Sequence, residues 1–379
     1  MSKILFVRTV PYELDFSKYN VQALGLGKEL VDNGHNFDFL YFPYLKRKNR
    51  EEIIYKHGSN ELKIIQHKGI RFFRTGFSYN TLSKKFLNQY DLIICCEYNQ
   101  LMSYFISKRH KNTVIYSGPY YNLFMIPALS NLYDKIFVKK INKSVKKIYV
   151  KSELAREYLE NKGYINIETI GVGLDISKYN DVKKISDEAK DILAYLNNND
   201  NVLLYVGALS KRKNFPFLLK VYNEVFQREK NIKLLIIGKG NKKYVSEILD
   251  NFDKEVLENI KIVPSLSNEQ LSYIYPKATL FLLPSINEIF GMVLLEAMYF
   301  NTPVISSKNG GSTTVIKNNY NGFVINEFDE KKWADTIIDN IKNKHKLLEL
   351  GKNANHTVVN NYLWKNIYKK LLNGDDSFD

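Results

Sequence analysis

The chain has 379 residues, 45% of them hydrophobic, which suits two cores better than one. Its uninterrupted apolar runs are about the length of LFLLP, far short of the ~18–20 residues that span a bilayer, and MSKILFVRTV reads as a first strand rather than a signal peptide. The net charge of +15 is lopsided: residues 1–170 hold 27 Lys+Arg against 15 Asp+Glu, or +12, which asks for an anionic partner.

From the N-terminus, KILFV is followed by a helical VQALGLGKELVDNG and by FDFLYF; DLIICC, TVIYS and KKIYV come next. Cys95 and Cys96 neighbour each other on one strand and so point to opposite faces, a poor geometry for a bridge; two reduced thiols in a cytosolic protein are expected. Lys135, Lys139, Lys140, Lys143, Lys146, Lys147 and Lys151 follow with no acid between the first and last. Leu129, Tyr133, Phe137, Ile141 and Val145 recur every four residues through the same stretch. That pattern fits either a helix covering a sheet or a basic, aromatic surface, with Tyr120, Tyr121 and Phe124, that meets an anionic membrane. No zinc-type C-x-x-C, RNP-type signature or basic heptad supports nucleic acid as the partner.

The second half repeats the rhythm with VLLYVG, FLLKVYNEVFQ, KLLIIG, YVSEILDNF, IKIV, LSYIY, LFLLP, GMVLLEAM and PVISS. Wholly apolar strands separated by helices predict parallel sheets covered on both faces, hence two doubly wound α/β domains. The boundary is placed near Gly171-Val172-Gly173, giving domains of 1–170 and 171–359. An amphipathic helix over 360–379, with Leu363, Trp364, Ile367, Tyr368, Leu371 and Leu372 at helical spacing, is expected to return to the first domain.

Ligands of such sheets bind beyond the carboxyl ends of the strands, and five loops of the second domain fall there. Gly207, with Lys211, Arg212 and Lys213, follows VLLYV; Gly238 and Gly240 follow KLLII; Leu266 follows IKIV; Gly310 and Gly311 follow PVISS. Between the last two lies the strand–turn–helix of residues 280–304, LFLLPSINEIFGMVLLEAMYFNTPV. Its turn aims backbone N–H groups and the positive end of a helix at whatever sits above, a seat for phosphate. Glu288 and Glu296 frame that seat with seven residues between them, and such acceptors suit hydroxyls. Phosphate and hydroxyl together describe a sugar nucleotide.

The run PSINEIFGMVLLEAMYFNTPVISSKNGG closely resembles the signature of retaining GT-B glycosyltransferases of family 4, which carry a Glu-x7-Glu pair in that setting. YVGALSKRKN resembles the family's diphosphate loop, GVGLDISKY the stretch beside its hinge, and DNGH the end of the first-domain helix. The resemblance implies a GT-B fold of two Rossmann-like domains with a cleft between them, the first binding the acceptor and the second the sugar nucleotide. It implies Lys213 and Glu288 as catalytic groups, with Gly207, Arg212, Lys213, Gly238, Leu266, Glu288, Ile289, Phe290, Gly291, Met292 and Glu296 lining the donor site. Within that set Gly207 and Lys213 would contact the diphosphate, Glu288 the sugar, Glu296 the ribose, and the Leu266 backbone the base. The implied reaction moves a hexose-type sugar, with retention, from a UDP-sugar by preference to a lipid-linked or surface-glycan acceptor. It would need neither metal nor cofactor and would run in the cytoplasm on the inner face of the cell membrane. The acceptor and membrane contacts would fall to Tyr120, Tyr121, Lys139, Lys140 and Lys143.

The sequence departs from the family in several places. Ala208 stands where an arginine is common, with Arg212 or Lys211 as the expected substitute, and Thr314 stands where a glutamate is common. Ser117-Gly118-Pro119-Tyr120 lacks the first-domain histidine, Glu97 reads as a solvated strand-end acid in preference to a cleft residue, and His35 reads as structural. These losses favour, as the alternative, a non-catalytic adaptor that supports a partner transferase. A nicotinamide-dependent enzyme is disfavoured because no G-x-G-x-x-G follows the first strand.

Overall fold

The computed structural model describes residues 1–9, 21–42, 49–72, 75–124, 126–179 and 185–373. The chain divides into two compact units, 1–173 with 364–379, and 174–363.

In the first unit the strands are β1 (Lys3–Arg8), β2 (Asn36–Tyr41), β3 (Arg50–His57), β4 (Asn60–Gln66), the short pair β5 (Ile70–Phe72) and β6 (Thr75–Phe77), β7 (Leu92–Cys96), β8 (Thr113–Ser117), β9 (Lys147–Val150) and β10 (Ile167–Thr169). Eight of them form one sheet in the order β10-β9-β8-β7-β1-β2-β4-β3, parallel except for the β3–β4 hairpin at its edge. That hairpin escapes the strand–helix rhythm of the sequence. Its outer strand, REEIIYKH, is almost wholly exposed and charged, a composition that discourages pairing with another edge. The central strands are buried because helices cover both faces, and they read as unbroken apolar runs for that reason. Cys95 is fully buried and Cys96 partly so; both are free thiols, and burial raises the pKa of each.

The helix Trp364–Asn373 completes this unit. Trp364, Ile367, Leu371 and Leu372 are buried, at the spacing that marked the helix in the sequence. The Trp364 ring lies directly over Gly173, where a β-carbon would collide with it. The Tyr368 hydroxyl donates to Asn33 Oδ1 at 2.8 Å.

The second unit has six strands, β11 (Asn201–Val206), β12 (Ile232–Ile237), β13 (Ile260–Val263), β14 (Leu280–Leu283), β15 (Val304–Ser307) and β16 (Phe323–Ile325). They form one parallel sheet in the order β13-β12-β11-β14-β15-β16. One face is closed by the helices Phe215–Arg228 and Glu330–Ile341, whose Phe217 and Trp333 rings meet edge-on at 5.5 Å. Trp333 is fully buried, and truncating a side chain of that size costs about 3–5 kcal/mol. Strand β15 is buried although half of it is serine. Ser306 and Ser307 donate back to the Leu283 carbonyl, and Ser307 also to that of Ser285 at 2.6 Å, so no hydroxyl there is stranded.

Candidate active site

In the second sheet the chain runs outward from β11 through β12 to β13, then returns to place β14 on the other side of β11. The loops after β11 and β14 therefore leave neighbouring strands in opposite directions and open a crevice at the carboxyl edge, where ligands of open parallel sheets bind. The basic loop and the Glu288 turn are these two loops.

Parallel pairing continues into the first loop. Gly207 N–H donates to the Ile237 carbonyl at 3.0 Å and Leu209 N–H to that of Lys239 at 2.9 Å. The buried Tyr205 hydroxyl donates to the Ala208 carbonyl at 2.9 Å; burial raises its pKa, so it stays a donor. Asn214 then takes a left-handed conformation (φ 56°) and starts the helix Phe215–Arg228, a position asparagine tolerates well. The turn leaves Lys213 only 8% exposed at the base of the loop and Arg212 projecting.

The second loop is tied to the first. Ile286 N–H donates to the Arg212 carbonyl at 3.0 Å, and Arg212 Nη1 donates to the Asn287 carbonyl at 3.0 Å. Lys213 Nζ forms an ion pair with Glu288 Oε2, and Arg212 Nη1 lies 3.4 Å from the same oxygen. The Lys213 and Glu288 side chains are 10% and 14% exposed, so losing Glu288 would take this partner from a nearly buried ammonium group, a change that costs about 3–5 kcal/mol. Gly291 (φ 78°) packs its backbone against Leu283 and the Glu288 side chain and caps the helix Met292–Tyr299, whose N-terminus therefore lies beside Glu288. Phe290 is buried, while Ile289 and Met292 are half-buried.

A third loop, after β15, locks this turn. Gly310 N–H donates to the Glu288 carbonyl at 3.1 Å, and Asn309 caps the following helix, Gly310–Val315, through a reciprocal bond with Ser312. Gly311 lies so close to the Phe290 carbonyl that a β-carbon would overlap it. Gly311 is therefore a requirement of close approach, where the sequence left a plain turn open. Gly238 has the same reason to be glycine, because a β-carbon there would strike the Gly207 carbonyl.

The structure thus gathers Gly207, Arg212, Lys213, Gly238, Glu288, Ile289, Phe290, Gly291 and Met292 around one strand-end crevice. Leu266 stands apart, half-buried after the edge strand β13, two strands from β11. Glu296 is 1% exposed and accepts a 2.8 Å hydrogen bond from the Tyr275 hydroxyl, whose pKa is raised by burial and then by this carboxylate. Tyr275 went unremarked in the sequence, because an aromatic in an apolar run gives no sign of its hydroxyl's partner.

In the first unit one open reading is decided and one expectation changes. The stripe at Tyr133, Phe137, Ile141 and Val145 faces the core, not a membrane: on the helix Pro127–Ser144, Tyr133 and Ile141 are buried, and Phe137 and Val145 pack on the core with Tyr120 and Phe124. Tyr121 is half-buried, edge-on to Tyr120. The exposed apolar residues are instead Ile126, Leu129, Leu132 and Ile136, interleaved with exposed Lys135, Lys139, Lys140 and Lys143. Glu97 is not a solvated acid. It is half-buried and accepts from the Ser117 hydroxyl and the Gly118 N–H.

Among the described residues no group of three or more His, Cys, Asp or Glu could hold a metal ion, and no helix is long and apolar enough to cross a membrane.

Residues 188–357 match the family model described as glycosyl transferases group 1. An uncharacterized glycosyltransferase of Methanocaldococcus jannaschii is 28% identical over 180 residues, 46% of this chain and 45% of that one. The lipopolysaccharide 1,2-N-acetylglucosaminetransferase of Salmonella typhimurium is 30% identical over 184 residues, 45% of this chain and 46% of that one. The chain thus matches about half the length of these curated relatives. Over the whole chain the fold is similar to that of Anabaena HepE, crystallised with UDP-glucose, at a TM-score of 0.66, 17% identity and complete coverage of both chains. The two Rossmann-like units are those of the GT-B glycosyltransferase fold, as the sequence resemblance implied.

Proposed function

We propose that the protein transfers a sugar from a nucleotide-diphosphate sugar, UDP-linked by preference, to a hydroxyl of a lipid-linked or surface-glycan acceptor. The observation that carries this reading is the crevice at the β11–β14 switch, where Lys213, Arg212, Glu288 and the N-terminus of the helix Met292–Tyr299 converge. It lies within the segment that matches the family model, and the UDP-glucose of the similar HepE structure supports the choice of donor.

In this reading the diphosphate sits at the helix N-terminus and draws Lys213 from Glu288, whose carboxylate turns to hydroxyls of the donor sugar. The bond from the anomeric carbon to the diphosphate oxygen breaks as the bond to the acceptor oxygen forms. The acceptor proton passes to the leaving phosphate, so no first-domain histidine is needed. Charge grows on the diphosphate in the transition state, so the ammonium group and helix amides stabilise it more than the bound substrate. Reaction on the face the leaving group vacates gives retention. The site residues themselves supply the positive charge, consistent with a metal-independent reaction. Glu296, in its bond with Tyr275, orients the ribose side, and the Leu266 backbone reads the base from the sheet edge.

The acceptor side belongs to the first unit. Exposed Leu129, Leu132 and Ile136 among Lys135, Lys139, Lys140 and Lys143 make a surface suited to an anionic cytoplasmic membrane face, with apolar contact and charge acting together.

A thermal-shift screen of UDP-, GDP- and ADP-glucose, followed by turnover with the best binder, tests the donor reading. UDP-glucose should stabilise the protein most and be consumed, with consumption lost in Glu288→Ala. Stabilisation by none of the three would overturn it, and binding without consumption would favour the adaptor.

A further inference from the structure

The first sheet has its own switch point, between β1 and β7, and its carboxyl edge holds a feature the donor chemistry does not use. Glu97, the first residue beyond β7, adopts φ 70°. The other described non-glycine residues at positive φ are Asn166, Asn214, Asn301 and Asn319. Asparagine reaches the left-handed region with help from its short side chain; glutamate has no such help, and the conformation costs it about 1–2 kcal/mol. Strain of this kind persists where the surroundings over-determine it, and it gathers at ligand sites.

The surroundings here do over-determine it. Glu97 N–H donates to the Tyr116 carbonyl at 3.2 Å, and its carbonyl accepts from the Ser103 hydroxyl at 3.0 Å. Oε2 accepts from the Ser117 hydroxyl at 3.0 Å and the Gly118 N–H at 3.2 Å, which pins the carboxylate across the ends of β7 and β8. Oε1 receives, among the described residues, the weak Cys96 thiol donor at 3.6 Å. A carboxylate so held, and half-exposed, has acceptor capacity left for a ligand. Three residues on, Gln100 is 4% exposed and its Oε1 has no hydrogen-bond partner. A second acceptor is thus unused at the same strand end, at a cost of about 1–3 kcal/mol.

We infer that Glu97 binds the acceptor: its Oε1, with Gln100 Oε1 three residues further along the chain, accepts hydrogen bonds from hydroxyls of a sugar or polyol. The inference rests on the reading that the first unit holds the acceptor, and it deepens that reading by naming the ligand's chemistry and the residue that selects it. Two acceptors with capacity left, and with no ion pair to a cation among the described residues, fit hydroxyl donors better than an anion.

The test uses the full chain and three probes, octyl β-D-glucoside, octyl β-D-galactoside and octyl α-D-mannoside, kept below micelle concentration and observed by saturation-transfer NMR. The wild type should bind at least one through its ring hydroxyls. Glu97→Gln, which keeps an acceptor for Gly118 but loses the charge, should bind that glycoside about tenfold more weakly, the scale of one charge-assisted bond. Glu97→Gly, which suits the positive φ, should abolish binding while melting no more than about 3 °C below the wild type, because relief of strain offsets the lost bonds. UDP binding, measured on the same samples, should be unchanged in both variants. Glycoside binding retained by Glu97→Gln, or no glycoside bound by the wild type, overturns the inference. A large fall in melting temperature for Glu97→Gly with binding retained by Glu97→Gln would assign the carboxylate to bracing the loop. Failure of the wild type to bind UDP counts against the donor reading and leaves the glycoside result standing by itself.

Discussion

Both sheets have a switch point, and in each the loop after the strand that crosses back, β14 or β7, turns on a left-handed residue. In the second unit it is Gly291, which takes this conformation at no steric cost, while the charge comes from neighbours, Lys213 and Glu288, on ordinary backbone. In the first unit the left-handed residue is itself the charged one, Glu97. The contrast separates two ways of building a strand-end site. A glycine turn brings backbone amides close to a ligand and suits phosphate. A strained carboxylate forgoes that closeness to hold one acceptor in place, which suits hydroxyls.

The largest expected effect falls on the glycine-built site. Lys213→Ala or Glu288→Ala should lower donor turnover by about 10²–10³, the usual loss when one preorganised electrostatic contact is removed. Steady-state release of UDP from UDP-glucose measures it, and a loss under tenfold would move the chemistry elsewhere. Next comes Gly311→Ala, which leaves every charge in place but forces the Phe290 carbonyl outward. Overpacking of this kind costs about 1–3 kcal/mol, so both the melting temperature and UDP affinity should fall. A fall in stability with UDP affinity intact would show that the third loop supports the fold and not the seat.

Gly291→Ala probes the contrast directly, since it imposes on the second unit the strain that Glu97 already bears in the first. A loss of about 1–2 kcal/mol in a urea melt is expected. A membrane prediction follows: reversing charge at Lys139, Lys140 and Lys143 should release the protein from anionic vesicles in a flotation assay, each lysine contributing about 1 kcal/mol. Unchanged binding would leave the exposed leucines without a role at a lipid surface.

The smallest effect concerns a carboxylate away from either strand end. Asp38 is buried in β2, and burial raises its pKa against the opposing pull of the Tyr90 hydroxyl at 2.8 Å and of Lys3. With the folded pKa above the unfolded one, the favourable contribution of protonated Asp38 is complete below the unfolded value of about 3.9 and is lost as pH rises through the folded value. Asp38→Asn should flatten the stability curve across that window, as urea melts at a series of pH values would show. Melts that keep the wild-type slope would place the titration in another group.

How far the sequence could be read follows from what each feature depends on. Strands such as LFLLP and VLLYV, and the C-terminal helix with its buried face, were legible because burial on both faces or on one stripe writes itself as a local pattern. The Lys213–Glu288 site was legible through a family signature carried on one short run of chain. Other features were not local. The helix Pro127–Ser144 carries two apolar sets at helical spacing, and periodicity could not say which one the core would take. Gly238 and Gly311 look like ordinary loop glycines until the Gly207 and Phe290 carbonyls arrive from other strands.

The sequence by itself determined the alternation of strands and helices, the two-domain plan, the basic first half and the residues of the Lys213–Glu288 crevice, because each rests on residues near one another in the chain. Only the tertiary structure decided the strand order that sets the loops after β11 and β14 side by side, the pairing of Glu296 with Tyr275, and the strained backbone of Glu97. Those depend on contacts between distant segments, and a φ angle held against its intrinsic preference leaves no mark on composition or spacing.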